Sequence, residues 1–432
     1  MLGLGVIATF ESTALAQPLD EAAPAEPAPP EAEPAPPEAE PAPPALAPEE
    51  PAPLRLRAIH LHGFISQGGF FSTSNDYIGA SSRGSLAMFE AGLNVSTEVT
   101  DRLRAGLQLF ARNVGTFRDI PPRLDWAFLD YRWKRWLGLR AGIVKLPYGL
   151  HNEYADIDAA RLSILLPQSV YPLRNRSALI SHTGFALYGE RTLGTAGSLE
   201  YQALLGTLDI PENALNIVGA RLDEIDTKYV TGAQLFWRPP VEGLRIGASY
   251  VRTSVDFHLT LDASTVAALI MAGLVPADFD GALGIYQRPT GFVIGSAEYS
   301  PGSWLFAAEY GRWSKRQRTT LPMLLPTFEE DSERFYVMAN RRWSERVAAG
   351  VYYSVFHVDA ADRRGRDETK YAEPHHAFQR DLAATVRYDV NEHWLWKLEA
   401  HFIDGTADLF QSRNPQPERY WGLFLFKTTV TF

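Results

Sequence analysis

A closed, 16-stranded antiparallel β-barrel that crosses a membrane is the fold class this sequence predicts, and three observations predict it. From residue 55 onward, segments of alternating hydrophobicity are separated by connections that are short and long in turn. Seven of the ten tryptophans lie at or near the short connections. The last segment, Arg419 to Phe432, alternates up to a terminal aromatic residue: Tyr420, Phe424, Phe426, Val430 and Phe432 share one face, and Lys427, Thr429 and Thr431 the other. A period of two is the strand signature. In hydrocarbon, closure of the sheet is what satisfies every backbone group.

The N-terminal elements come first. Leu2 to Phe10 is apolar, and Ala14-Leu15-Ala16 before Gln17 has the small-x-small form of a signal cleavage site, so residues 1–16 are expected to be the remnant of a signal peptide. The basic n-region is missing, as expected if the true start lies upstream. Residues 17–53 hold 14 of the 30 prolines and repeat every seven residues, Glu26-Pro27-Ala28-Pro29-Pro30-Glu31-Ala32 being followed by Glu33-Pro34-Ala35-Pro36-Pro37-Glu38-Ala39. Proline in each repeat forbids a coiled coil. The segment is expected to be a disordered periplasmic spacer of polyproline II character, reaching on the order of 100 Å at about 3.1 Å per residue. It is either a passive linker or a tether that contacts peptidoglycan.

Composition narrows the rest. Mean hydropathy is −0.16, and no run beyond residue 20 approaches the length of a membrane helix, so a helical membrane protein is excluded. Cysteine is absent, which leaves no disulfide or thiolate metal site. The net charge of −10 describes the N-terminal segment: ten of the 51 acids fall in residues 1–54, which carry no base, and beyond them acids and bases are equal at 41 each. Nothing in that balance suggests a nucleic-acid partner.

The barrel is expected over 54–432. Its short turns are Thr100-Asp101-Arg102, Lys134-Arg135-Trp136, Thr192 to Ala196, Pro239 to Glu242, Ser300 to Ser303, Ser344-Glu345 and Asn391-Glu392. Eight longer loops fall at about 71–84, 115–121, 148–180, 209–226, 258–287, 317–331, 359–376 and 408–418. Fifteen connections join sixteen strands and place both ends on the short-turn, periplasmic side, with the long loops extracellular. Trp133, Trp136, Trp237, Trp304, Trp343, Trp394 and Trp396 then mark one membrane interface.

Each strand separates an apolar row from a polar one. In 103–113, Leu103, Ala105, Leu107, Leu109 and Ala111 face outward, with Arg104, Gln108 and Arg112 inward; in 393–403, Trp394, Trp396, Leu398, Ala400 and Phe402 oppose Lys397, Glu399 and His401. Inner-row bases, including Arg132, Arg140, Arg245, Arg334, Arg387 and Lys427, share the wall with acids such as Glu90, Asp130, Glu309 and Asp381, which predicts mutual ion pairing.

Sixteen strands leave a water-filled bore unless a segment narrows it. The longest loop, 148–180, is the candidate constriction, with Asp156 and Asp158 toward one end and Arg161, Arg174 and Arg176 toward the other. The expected solute path is lined by these residues with Arg104, Arg112, Arg132, Arg140 and Lys145. Opposed charges there would orient polar solutes.

The strand pair Trp126-Ala127-Phe128-Leu129-Asp130-Tyr131-Arg132 and Leu139-Arg140-Ala141-Gly142-Ile143-Val144-Lys145-Leu146-Pro147-Tyr148-Gly149-Leu150 resembles the phosphate-selective porin O and P family. Trp126 stands where that family commonly has an acid, and Tyr148 replaces phenylalanine. The resemblance implies a homotrimeric outer-membrane channel with a loop-built constriction, and Lys145 matches the family's lysine. The binding arginines of the family have no position-by-position match, so phosphate is only one candidate among small polar or anionic solutes.

Enzymatic patterns are weak. His60 and His62 share an inner face without a third ligand, and His375-His376 lies in a loop, so no metal or cofactor is expected. A barrel hydrolase remains the alternative reading, because such enzymes spread catalytic residues over several strands. The apolar stretch Val266 to Leu274 is expected to form a short helix at the rim.

Overall fold

The computed structural model describes residues 58–210, 219–325, 327–410 and 413–432. The signal remnant (1–16) and the proline-rich spacer (17–53) lie outside the described residues. The strands are β1 (Ile59–Ser72), β2 (Ser85–Glu98), β3 (Leu103–Val114), β4 (Phe117–Lys134), β5 (Leu137–Lys145), β6 (Ser181–Thr192), β7 (Ser198–Thr207), β8 (Ala220–Arg238), β9 (Leu244–Leu261), β10 (Ala282–Tyr299), β11 (Trp304–Thr319), β12 (Phe328–Arg342), β13 (Val347–His357), β14 (Phe378–Asp389), β15 (Trp394–Gly405) and β16 (Tyr420–Thr431). Each pairs antiparallel with its neighbours in sequence, and β1 pairs with β16 from Phe64 opposite Thr431 to Ser72 opposite Leu423, closing the barrel. All seven short turns fall where the sequence places them.

The two faces separate as the alternation requires. Leu398, Phe402, Phe426 and Val430 are exposed on the outside, while Lys397, Glu399, His401, Lys427 and Thr429 are buried inside. The seven tryptophans of the short-turn rim are all exposed, whereas Trp313 and Trp421 point inward and are buried. An apolar belt around a closed wall is unsuited to water and requires hydrocarbon. Among the described residues, no helix is long and apolar enough to cross a membrane.

Four loop boundaries differ from expectation. The 115–121 loop contracts to a turn at Gly115-Thr116, with β4 beginning at Phe117. Pro121 and Pro122 fit there because β5 joins β4 only from Ala127 onward, so this stretch is paired on one side, and register shifts on the β3 side absorb the irregularity. The loops near 209–226, 258–287 and 317–331 are likewise shortened by continuation of strands, β8 to β10 reaching 18 or 19 residues. Their inner face turns apolar beyond Val251: Val255, Phe257, Leu259, Leu261, Leu283 and Ile285 form a separate core with Leu269 and Leu321. Leu269 belongs to the expected rim helix, Ala263–Met271. These strands therefore rise well past the roughly 10 residues a membrane crossing needs.

Candidate functional site

The segment between β5 and β6, residues 146–180, has no strand of its own. Pro147, Pro167 and Pro172 interrupt it, and it proceeds through single turns at Asn152–Tyr154, Asp158–Ala160 and Leu173–Asn175 before a four-residue helix, Arg176–Leu179. Irregular backbone that is buried must find hydrogen-bond partners elsewhere. Here they are side chains of the barrel's inner row. The amide of Gly149 donates to Ser249 Oγ (3.1 Å), that of Leu150 to Glu309 Oε1 (2.9 Å), and those of Ile164 and Leu165 to the two oxygens of Glu399 (2.7 and 2.8 Å). In return Gln234 donates to the Gly149 carbonyl (2.9 Å), Arg334 to that of Ser169 (2.7 Å), Arg387 to that of Ala159 (2.6 Å), and Lys397 to those of Asp158 and Arg161 (2.7 and 2.9 Å).

Its side chains are tied in the same way. Asp158 receives Lys397 Nζ at 3.0 Å, Lys427 Nζ at 3.1 Å and the hydroxyl of Thr429 at 2.7 Å. Burial by itself would raise the Asp158 carboxyl. Lys397, Lys427 and Arg161 outweigh it and hold the group well below the usual carboxylate range. Lys427 also binds Glu90. Asp156 accepts from Lys145 (2.6 Å) and from Gln108. Gln108 lies on β3 and Glu309 on β11, eight strands apart in a ring of sixteen.

A second group of contacts is aromatic and acidic. Tyr148 packs edge-on to Phe292 with ring centroids 4.7 Å apart, and against Trp313 and Tyr171. Glu309 accepts from Ser296 (2.5 Å), Tyr336 (2.9 Å), Tyr171 and the Leu150 amide. His151 meets Tyr336 at 2.9 Å, and burial, with Arg245 and Arg161 adding to it, pulls its pKa down to about 3. Gly149 has φ +59°, and a Cβ there would stand 2.3 Å from the Tyr171 hydroxyl, so glycine is required at this point.

The arginines expected along the solute path fall into separate places. Arg161 bonds back to the Ser163 carbonyl (3.1 Å) and lies 3.8 Å from Asp158. Arg174 pairs with Asp408 (3.3 Å) and stacks on Phe410, and Arg176 pairs with Asp125 while covering Phe110. Arg112 donates to Ser177 (3.1 Å). Toward the short-turn rim, Arg140 pairs with Asp130 (3.2 Å) and lies 4.5 Å over the Tyr188 ring, with Arg132 above the same ring at 5.7 Å and Arg104 in register with Asp130. Ion pairs line the rest of that rim: Arg238 with Glu200 (2.8 Å), Arg245 with Glu298 (3.4 Å) and Arg342 with Asp389 (3.1 Å). The mutual pairing expected of the inner wall is therefore present. His60 and His62 are exposed near the start of β1.

Glu309, Glu399, Ser249, Gln234 and Tyr336 were absent from the expected site. Their inner-row parity was readable, but their partners are main-chain groups of an irregular segment, which leave no periodic trace.

The closed sixteen-strand wall, with an apolar outer row and a charged inner one, has a fold similar to that of solved outer-membrane porins. Similar solved structures are the anion-selective porin from Comamonas acidovorans (TM-score 0.54, 10% identity, 87% of this chain and 99% of that one), OmpF of Salmonella typhi (TM-score 0.53, 12%, 87% and 97%) and the channel DcaP of Acinetobacter baumannii (TM-score 0.52, 10%, 87% and 97%). At such identities the likeness establishes the fold. No protein-family model matches the chain. No curated protein matches it by sequence.

Proposed function

We propose that this chain is a bacterial outer-membrane porin through which small polar or anionic solutes diffuse passively, with residues 148–180 narrowing the bore. The observation that carries the reading is the contrast of faces: the wall is apolar where it meets its surroundings and charged where it encloses space, which suits water inside and lipid outside. The hydrogen bonds from 146–180 to strands on opposite sides of the ring support a crossing segment that reduces the aperture. Arg104, Arg132 and Arg140, gathered beside Asp130 and Tyr188 and still reachable by water, would favour anions on the short-turn side. One neighbour is described as anion-selective, which agrees with that preference. A homotrimer is the expected assembly.

Purified protein in a planar bilayer should give stepwise, ohmic conductance, and its reversal potential in a salt gradient should shift toward cations when the three arginines are replaced by glutamine. A bilayer that stays sealed at high protein load would refute the channel. An unchanged ion ratio would refute only the assignment of these arginines.

A further inference from the structure

We propose that the upper edge of β14 to β16, on the outside of the barrel, binds the phosphate of an anionic membrane lipid. Going round the wall, register aligns Arg380, Asp404 and Tyr420 in one outward row, Leu382, Phe402 and Gly422 in the next toward the short-turn rim, and Ala384, Ala400 and Phe424 in the third. Leu382, Phe402, Tyr420 and Phe424 are all exposed. Gly422 adds no side chain beside Phe402 and the Phe424 ring leans over it, so Leu382, Phe402 and Phe424 form a continuous apolar surface below the charged row.

That row has more base than acid. Arg380 Nη1 lies 3.1 Å from Asp404 Oδ2 and Arg419 Nε 2.7 Å from Asp404 Oδ1, so two guanidiniums share one carboxylate. Both lie over the ring of Phe378, at 4.5 and 5.7 Å, and Arg419 is 4.7 Å from the ring of Tyr420. The arrangement holds the guanidiniums in place at 40% and 44% side-chain exposure. Among the described residues, Nε and Nη2 of Arg380 and Nη1 of Arg419 bond to no other group, so donors remain for a phosphate.

The pattern recurs two strands away. Glu333 accepts from Arg363 (2.6 Å) and Tyr310 (2.7 Å), and Arg312 donates to the same Tyr310 hydroxyl at 3.2 Å, above the exposed Val337 and Tyr353. Register places His357 directly between Glu333 and Phe378, so the two clusters adjoin, about 10 Å apart at ordinary strand spacing. Each sits where the apolar row gives way to charge on the long-loop side. A lipid lying along the wall would place its chains on Leu382, Phe402 and Phe424 and its phosphate at the arginines. Charge complementarity and continuity with the lipid-facing belt both select a lipid headgroup over a soluble anion.

This inference rests on the membrane reading of the barrel and is independent of solute passage, so conductance can fail without touching it. The test is binding of fluorescent lipopolysaccharide to the full chain in detergent, with a dephosphorylated preparation as control and excess inorganic phosphate as competitor. The Arg380→Gln, Arg419→Gln double variant should bind about tenfold more weakly. Asp404→Asn should bind more tightly, since it removes the carboxylate that competes for both arginines, a gain that a purely structural role would not produce. Folding of each variant is read from heat-modifiable gel mobility. Equal binding by wild type and a folded double variant, no gain in Asp404→Asn, indifference to dephosphorylation, or full displacement by inorganic phosphate would each overturn the proposal.

Discussion

Asp158 is bound by Lys397, Lys427 and Thr429 at once, with Arg161 nearby, and none of these lies within a tight turn of it except Arg161. Asparagine at this position would leave Lys397 and Lys427, register partners on β15 and β16, facing each other, with Glu90 paired to Lys427 alone. Such uncompensated buried charge costs about 3–5 kcal/mol, which should appear as a lower thermal transition in detergent and as noisier single-channel current. Because the folded carboxyl lies below its unfolded value of about 3.9, the stabilisation is complete above that value. It is lost only as pH falls through the lower folded value, so the anchor should survive at about pH 4. His151 behaves oppositely in range. Its folded pKa of about 3 lies below the ordinary 6.5, so the unfolded chain binds the extra proton between those values. Stability should therefore decline as pH is lowered from about 6.5 toward 3, and thermal transitions of His151→Gln should be flatter over that window.

At the scale of elements, the 146–180 segment and the strands beneath it depend on each other. Gly149 brings the chain against Glu309 and Tyr171 with a positive φ, and any side chain there meets them. Gly149→Val is expected to strain the backbone by about 1–3 kcal/mol and to displace the first turn of the segment. The measurement is single-channel conductance, which should rise; an unchanged value with a folded barrel would show that this turn does not limit the aperture. The extended hairpins of β8 to β11 follow a different rule. Their apolar patterning continues past the membrane because a second core with the Ala263–Met271 helix replaces lipid and lumen as the burying surface. Alternation alone does not mark the depth at which one environment gives way to another, and this is why the sequence places those loop boundaries too early.

Across the whole molecule, parity around the closed ring governs the effect of a charge. Lys397 is buried and paired on the inside, whereas its neighbour Leu398 is 63% exposed on the outside. Leu398→Lys should cost about 2–4 kcal/mol near the bilayer midplane, measured by denaturant titration in lipid vesicles, although the same residue type is accommodated one position earlier. Strand number, face and turn positions were legible because each follows from a local period of two, from turn chemistry and from tryptophans spaced to the turns. The strand pair at 126–150 resembles the phosphate-selective porin family, and the sixteen-strand fold agrees with the barrel which that resemblance implies. The meeting of Lys427 with Glu90 and Asp158, the grip of Glu399 on Ile164 and Leu165, and the pairing of Arg176 with Asp125 were not legible. They join residues far apart in sequence, through the closure of β16 on β1 and the path of an irregular segment. Local patterning determined the wall, and only the tertiary structure decided which of its inner charges meet, because that depends on closure and on a backbone route that no periodicity encodes.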